Sequence, residues 1–177
     1  MASNVRLFIA INLNNETQSG LLTLQDELRA NSRSGNFTLR DNLHLTLVFL
    51  GECDEKQTAA VKSVMDAVVF RPFDLSVEQF GCFKRVDGAL WWAGVHGSKD
   101  LINLQKDLTA GLCAKGLRCD KRKYTPHITL GRKVMSNLIS RQIKPFGETV
   151  HKIDLMKSER IGGKLAYTSI YPRYALV

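Results

Sequence analysis

The tetrapeptide His44-Leu-Thr-Leu47 has a counterpart of the same pattern, His127-Ile-Thr-Leu130, about half a chain length later. Each copy places a histidine and a threonine two residues apart, with aliphatic residues between and after them. This alternation predicts a β-strand. Because successive side chains of a strand point to opposite faces, each strand is expected to have a His/Thr front and an aliphatic, buried back.

The composition is that of an ordinary globular protein. The chain has 177 residues, of which 44% are hydrophobic and 24% charged, which suits one domain with a substantial core. No apolar run is long enough to span a membrane, and the stretch Val5–Leu13 lacks the layout of a signal peptide. We therefore expect a cytoplasmic monomer with no membrane partner.

The net charge and the cysteines exclude few classes of partner or site. The net charge is +8, from 25 basic and 17 acidic residues, which suits a polyanion such as RNA but also fits a merely solvated basic surface. The four cysteines form no Cys-x-x-Cys pair, so zinc-ribbon and thioredoxin-like sites are not indicated. We expect them to be reduced, and to be buried or half-buried without a function.

Further elements are predicted on both sides of the two motifs from apolar spacing and from capping and turn residues. The predicted strands are Val5–Ile11, a short one at Phe37–Arg40, Asn42–Leu50 ended by Gly51, Arg71–Phe83 with a bulge at Gly81, Ala89–Val95, and a final hairpin of Glu148–Ser158 and Lys164–Tyr171, with Pro172–Val177 as a further edge strand. The predicted helices start at Asn14, Asp54 and Ser98, with a short one at Lys133–Gln142, and Asn31–Asn36 is predicted to be a loop.

This order predicts an α+β fold. A helix, a His/Thr strand and further strands occur twice, with no linker between the halves. We infer one bilobal, pseudo-duplicated domain over residues 1–177, in which two antiparallel sheets line a central cleft and the helices lie outside. The two His/Thr faces are then expected to meet across the cleft.

Two opposed histidines suit displacement at phosphorus. Histidine has the unperturbed pKa nearest to neutral pH, so one copy can donate a proton while the other accepts one. The hydroxyls of Thr46 and Thr129 can donate to non-bridging phosphate oxygens, and Arg132 can offset their negative charge. This scheme needs no metal and no cofactor. Which histidine is the acid stays open on the residues alone.

The same residues also have other interpretations. A single His-x-Thr is more often structural, but two copies in matching strands are a stronger signal. A catalytic zinc site usually takes three protein ligands, and the other histidines, His96 and His151, are not expected to act directly. Arg132 can also be read as a surface residue.

The motif residues resemble those of the 2H phosphoesterase superfamily, and more closely those of its RNA 2′,3′-cyclic phosphodiesterases, also called 2′-5′ RNA ligases. The resemblance covers almost the whole chain. It is carried by Arg6–Ile11, Asn42–Gly51, Pro126–Arg132, and Ser158 followed by Tyr167 and Thr168.

This resemblance implies metal-independent hydrolysis of an RNA 2′,3′-cyclic phosphate end to a 2′-phosphomonoester, with 2′-5′ ligation as related reverse chemistry. His44 is then the proton donor, and His127 is the proton acceptor that activates water. Phe8 is implied near the base or ribose, although it also fits a core position, and Tyr124 and Tyr167 are weaker candidates. The partner is then an RNA or a nucleotide with a cyclic phosphate end.

Two other functions stay open from the sequence. The chain can act on another cyclic phosphate or on 2′-5′-linked oligonucleotides, since the motifs read phosphate rather than base. It can also be a non-catalytic RNA-binding module that uses the basic surface. Retention of both histidines and both threonines speaks against the binding module.

Overall fold

The computed structural model describes residues 3–177, which form strands and helices in the alternating order expected of an α+β protein. The helices are α1 (Asn15–Ala30), α2 (Glu55–Ala67) and α3 (Lys99–Ala114), with a 3-10 turn at Arg40–Asn42. The strands are β1 (Val5–Asn12), β2 (Ser32–Phe37), β3 (His44–Cys53), β4 (Phe73–Phe83), β5 (Ala89–Val95), β6 (His127–Ser136), β7 (Arg141–Val150), β8 (Lys152–Ile161) and β9 (Lys164–Tyr174).

The strands form two antiparallel sheets, one for each motif. The four-stranded sheet has the order β3-β1-β8-β9, and the five-stranded sheet has the order β2-β6-β5-β4-β7. His44 begins β3 and His127 begins β6, so each lobe contributes one His/Thr strand. The predicted α+β, bilobal arrangement is confirmed.

The helices start where side chains can cap them. Asn14 accepts a hydrogen bond of 2.8 Å from the backbone N–H of Thr17, and Asp54 with Gln57 forms a complete capping box. Helix α1 contacts β2, β6 and β7, whereas α2 and α3 contact each other and β3. Their apolar faces cover the backs of the sheets and leave the opposite faces for the cleft.

Two predictions in the α1–β3 connection are wrong. The predicted loop Asn31–Asn36 is largely strand β2, which pairs with β6. Its polar sequence gave no strand signal because β2 is a largely exposed edge strand held by its backbone pairing. The predicted short strand at Phe37–Arg40 is instead the end of β2 followed by the 3-10 turn.

The predicted helix at Lys133–Gln142 is also wrong. Strand β6 continues to Ser136, with Val134 paired to Ala89 of β5, and β7 begins at Arg141. Lys133 has φ of 53°, which no α-helix accommodates. Pairing with neighbouring strands therefore overrides the local helix signal.

The other boundary corrections are smaller. Strand β3 runs through Gly51 to Cys53, and the irregularity in β4 lies between Val77 and Gln79 rather than at Gly81. The final hairpin is β8 and β9 joined through Gly162 and Gly163, which have positive φ.

At the end of the chain, residues 148–150 belong to β7 and not to this hairpin. The first residues of the predicted tail strand, through Tyr174, extend β9 at the sheet edge.

The expectation that all the cysteines are reduced is wrong for one pair. Cys113 at the end of α3 is joined by a disulfide to Cys119 in the following loop. The chain reverses at Gly116, where φ is 72°, and this brings the two Cα atoms to 5.5 Å. Cys53 is a buried free thiol and Cys82 a half-buried one. None of the helices within residues 3–177 is both long enough and apolar enough to cross a bilayer.

Candidate active site

The two motifs have the predicted two-faced geometry. Leu45 and Leu47 are 0% and 2% exposed, and Ile128 and Leu130 are both 0% exposed. The intervening side chains, those of His44, Thr46, His127 and Thr129, are half-buried on the opposite faces. Each sheet therefore displays its histidine and threonine from a tightly packed support.

Both histidines are tethered in the same way. The Nδ1 atom of His44 lies 2.7 Å from the carbonyl oxygen of Asn42, and Nδ1 of His127 lies 2.7 Å from that of Thr125. A carbonyl oxygen only accepts, so each Nδ1 carries a proton and donates it. Each Nε2 is thereby left as the nitrogen that can take or give a proton. Asn42 and Thr125 were not predicted as site residues, and their only signal in the sequence is their equal offset before each histidine.

His44 sits in an aromatic and hydroxyl environment. Its Nε2 lies 2.8 Å from Oγ1 of Thr46. Its ring centroid is 4.9 Å from that of Phe8 and 5.1 Å from that of Tyr167, with the Tyr167 ring edge-on. Phe8 is 4% exposed, so the structure brings the predicted Phe8 to His44 but as a mostly buried neighbour.

Burial lowers the pKa of His44 from its ordinary value. The hydrogen bond to the Asn42 carbonyl opposes this shift, and the positive charges of Arg132 and His127 lower the pKa further. Arg132 and His127 belong to β6, which contacts β3 across the two sheets, so both are near enough for their charges to act on His44. An anion bound between them would offset this positive field and favour protonated His44.

A bulge in β6 brings Arg132 to the cleft. Trp92 pairs with Thr129 and Trp91 with Gly131, so β6 has one extra residue between these pairs. Leu130 and Gly131 consequently both lie on the buried side, and Arg132 is exposed on the face of Thr129. Strict alternation would have turned Arg132 towards the core.

Phe83 is a neighbour of His127 that was not predicted from the sequence. The Phe83 ring lies 5.5 Å from the His127 ring in an edge-on arrangement and 5.4 Å from the Trp92 ring. Trp92 pairs with Thr129 across the sheet, so these aromatic rings and the second motif share a face. No local signal marked this contact, because it depends on the sheet order, in which β4 and β6 lie on either side of β5.

The two weaker tyrosine candidates differ in position. Tyr167 is half-buried, packs against both Phe8 and His44, and has a pKa raised by burial. Tyr124 is directed into the protein, where its phenol donates to the carbonyl oxygen of Thr46, and burial raises its pKa strongly. Tyr124 therefore supports β3, whereas Tyr167 lines the cleft.

Two side-chain hydrogen bonds from the same lobe hold the backbone of the second motif. The side-chain amide of Gln25, which is 2% exposed, donates to the carbonyl oxygen of Leu130 at 2.9 Å. The hydroxyl of Thr38 donates to the carbonyl oxygen of Thr129 at 3.0 Å. These bonds fix the backbone that carries His127 and Thr129.

The other two histidines lie outside the motifs. Nδ1 of His96 lies 3.5 Å from a carboxylate oxygen of Glu78, and His151 is exposed. Within residues 3–177, no three His, Cys, Asp or Glu side chains are grouped so that they could hold a metal ion.

Comparison with known proteins places the chain in a family. Residues 14–161 match the family described as the 2′-5′ RNA ligase superfamily. This chain belongs to the 2′-5′ RNA ligase superfamily. The match spans both motif strands, and the resemblance inferred from the paired His-x-Thr motifs is confirmed.

The chain also resembles individual proteins, two by sequence and one by structure. The chain is 33% identical over 131 residues to an RNA 2′,3′-cyclic phosphodiesterase of Thermotoga maritima, covering 72% of this chain and 70% of the relative. It is 31% identical over 135 residues to one of Archaeoglobus fulgidus, covering 75% of each. The crystal structure of Escherichia coli LigT complexed with 3′-AMP has a TM-score of 0.82 at 24% identity, covering 97% of this chain and 98% of LigT.

Proposed function

We propose that this chain is an RNA 2′,3′-cyclic phosphodiesterase, acting through one bilobal domain over residues 1–177. It would open the cyclic ester at an RNA or nucleotide end and leave a 2′-phosphomonoester. The observation that carries the proposal is the pair of His-x-Thr strands in contacting sheets, with each histidine tied through Nδ1 to a backbone carbonyl and with the charge of Arg132 acting on His44. The names of the relatives from Thermotoga and Archaeoglobus support the substrate class.

The mechanism is an in-line displacement at phosphorus. Nε2 of His127 accepts a proton from a water molecule as its oxygen attacks phosphorus. The bond to the 3′-oxygen breaks on the opposite side, and Nε2 of His44 gives that oxygen its proton. The 2′-oxygen stays bonded to phosphorus. The assignment of acid and base to these two histidines follows the family resemblance.

Other residues would hold the phosphate during this step. The hydroxyls of Thr46 and Thr129 donate to the non-bridging oxygens, and the Arg132 guanidinium balances their charge. Tyr167 is half-buried beside His44, so the terminal ribose or base would lie against Tyr167, with the mostly buried Phe8 packed against both rings. Bound phosphate would also raise the pKa of His44 towards the value that a proton donor requires.

Ligation is the same chemistry with a different nucleophile. A 5′-hydroxyl of a second RNA replaces water and gives a 2′-5′ linkage. The alternative substrates are another cyclic phosphate or a 2′-5′-linked oligonucleotide.

The decisive experiment measures hydrolysis of a nucleoside 2′,3′-cyclic phosphate in EDTA and identifies the product isomer. His44→Ala and His127→Ala should each reduce the rate by roughly 10²–10⁴-fold, whereas the matched control His151→Ala should leave it unchanged. Wild-type rates in both variants would overturn the mechanism, and a 3′-phosphate product would overturn the assigned bond cleavage. Salt-dependent RNA binding without turnover of any cyclic phosphate would indicate a binding module instead.

A further inference from the structure

Phe49 lies on the cleft face of the four-stranded sheet. It pairs directly with Phe8 across β1 and β3, and residues opposite each other in an antiparallel pair share a face. The Phe8 ring is in turn 4.9 Å from the His44 ring. Phe49 is nevertheless 43% exposed, whereas Phe8 is 4% exposed. A large aromatic surface therefore lies open in the cleft, beyond Phe8.

A bulge turns Phe49 to this face, as a bulge turns Arg132 in the other lobe. Ile9 pairs with Val48 and Ala10 with Thr46, so β3 has an extra residue between these pairs. Leu47 and Val48 both face the core as a result. Phe49 is the fifth residue after His44, and Arg132 is the fifth after His127. The two positions are equivalent in the two lobes, and each points into the cleft.

Two arginines from different parts of the chain converge on Phe49. The guanidinium carbon of Arg6 is 5.1 Å from the ring centroid, and that of Arg118 is 6.0 Å from it. Arg6 comes from β1, and its charge also acts on the Tyr167 phenol. Arg118 comes from the loop that the Cys113–Cys119 disulfide ties back to α3. We call Arg6, Phe49 and Arg118 the Phe49 clamp.

The clamp has the chemistry of a nucleotide site. Nucleobases stack on aromatic rings and on guanidinium planes, and arginine donates to phosphate oxygens. A row of such groups runs from His44 through Phe8, Tyr167 and Arg6 to Phe49.

This row begins at the histidine that gives its proton to the departing 3′-oxygen. It therefore begins at the ribose of the terminal nucleotide. RNA that extends from that ribose in the 5′ direction can follow the same sheet.

We propose that the Phe49 clamp binds the nucleotide immediately 5′ of the cyclic end of an RNA strand. This inference rests on the proposed function, because it takes the direction of the RNA from the role of His44. The base of that nucleotide stacks on the clamp, and Arg6 and Arg118 contact its phosphates. The enzyme thereby prefers an oligonucleotide end over a mononucleotide.

The test compares two substrates in the full-length protein. One is a nucleoside 2′,3′-cyclic phosphate, and the other is a trinucleotide with the same cyclic end. In Phe49→Ala and Arg118→Ala, kcat/KM for the trinucleotide should fall roughly 5- to 100-fold, the range expected when one stacked base is lost. Hydrolysis of the mononucleotide should stay within about twofold, because this substrate lacks the 5′ nucleotide that the proposal places on the clamp. Phe49→Trp keeps an aromatic platform and should keep the trinucleotide rate.

A matched control is Arg122→Ala, which removes the same charge from the same loop. The Arg122 guanidinium is held by Asp120 at 2.6 Å, so this variant should keep the preference for the trinucleotide. Equal kcat/KM of the wild type for both substrates would overturn the inference. Equal losses on both substrates in Phe49→Ala would also overturn it.

A binding measurement separates failure of this inference from failure of the proposed function. Fluorescence anisotropy with a labelled trinucleotide that ends in a 3′-phosphate requires no turnover. Weaker binding in Phe49→Ala and Arg118→Ala, but not in Arg122→Ala, supports the clamp even if no cyclic phosphate is hydrolysed. Unchanged binding in both clamp variants contradicts it.

Discussion

The phenol of Tyr124 donates a 2.8 Å hydrogen bond to the carbonyl oxygen of Thr46. Tyr124 precedes β6, which carries the second motif, and Thr46 belongs to the first motif. Strand β3 is the edge of its sheet, so a carbonyl on its outer side needs a partner from outside the sheet. Tyr124 is that partner, and its hydrogen bond joins the segment before β6 to the backbone of β3.

Tyr124→Phe tests this connection. The change removes only the hydroxyl, and it leaves the Thr46 carbonyl without its donor. We expect the free energy of unfolding to fall by about 1 kcal/mol, as measured by urea denaturation. Hydrolysis of a cyclic phosphate should also slow, because small displacements of catalytic groups are costly. Tyr174→Phe, at a tyrosine that is 61% exposed, is the matched control and should change neither quantity.

The pH dependence of His44 provides a second prediction. Burial, together with the charges of Arg132 and His127, holds the pKa of His44 below 6.5. Arg132→Gln removes one of the opposing charges, so the pKa of His44 should rise. The measurement is an NMR titration of the histidine ring protons, with the His44 signal assigned by its loss in His44→Gln. An unchanged or lower pKa in Arg132→Gln would show that Arg132 does not face His44.

The lowered pKa of His44 should also make the free energy of unfolding depend on pH. The pKa of His44 is lower in the folded than in the unfolded state, so the unfolded chain takes up more protons as the pH falls through 6.5. Wild-type protein should therefore lose stability on acidification below that pH relative to His44→Gln. Above it the group contributes no pH dependence. Urea denaturation at several pH values measures the difference, and parallel curves for the two proteins would contradict the prediction.

Thr129 provides a third prediction, on phosphate binding. Thr129→Val keeps the shape of the side chain but removes the hydroxyl proposed to donate to a non-bridging oxygen. We expect kcat to fall by on the order of 10²-fold, as for loss of one donor to a charged transition state, and Thr129→Ser to restore most of it. The measurement is the steady-state rate on a nucleoside cyclic phosphate.

The matched control for Thr129 is Thr149→Val in the same sheet, whose hydroxyl bonds to Asp74 at 2.8 Å. This variant should retain the wild-type rate. A rate in Thr129→Val equal to that of Thr149→Val would remove Thr129 from the phosphate site.

Much of the fold could be predicted from local sequence signals. The caps at Asn14, Asp54 and Ser98 marked helix starts correctly, because a side chain that accepts a backbone N–H acts within one turn of helix. The alternation in the two motifs likewise predicted which side chains are buried. The predictions for β2 and for the β6–β7 region were wrong. Their strands form by backbone pairing with partners that are distant in sequence, and local residue propensity does not indicate such pairing.

The sequence by itself determined the two His-x-Thr strands, their polar and apolar faces, and the superfamily to which they point. These features depend on side-chain alternation along a single strand, which can be read from the residue order. Only the tertiary structure decided that the fifth residue after each histidine, Phe49 or Arg132, faces the cleft. Strict alternation would have placed both against the core. An extra residue against the neighbouring strand reverses the alternation, and strand register is set by packing between parts of the chain that are far apart in sequence.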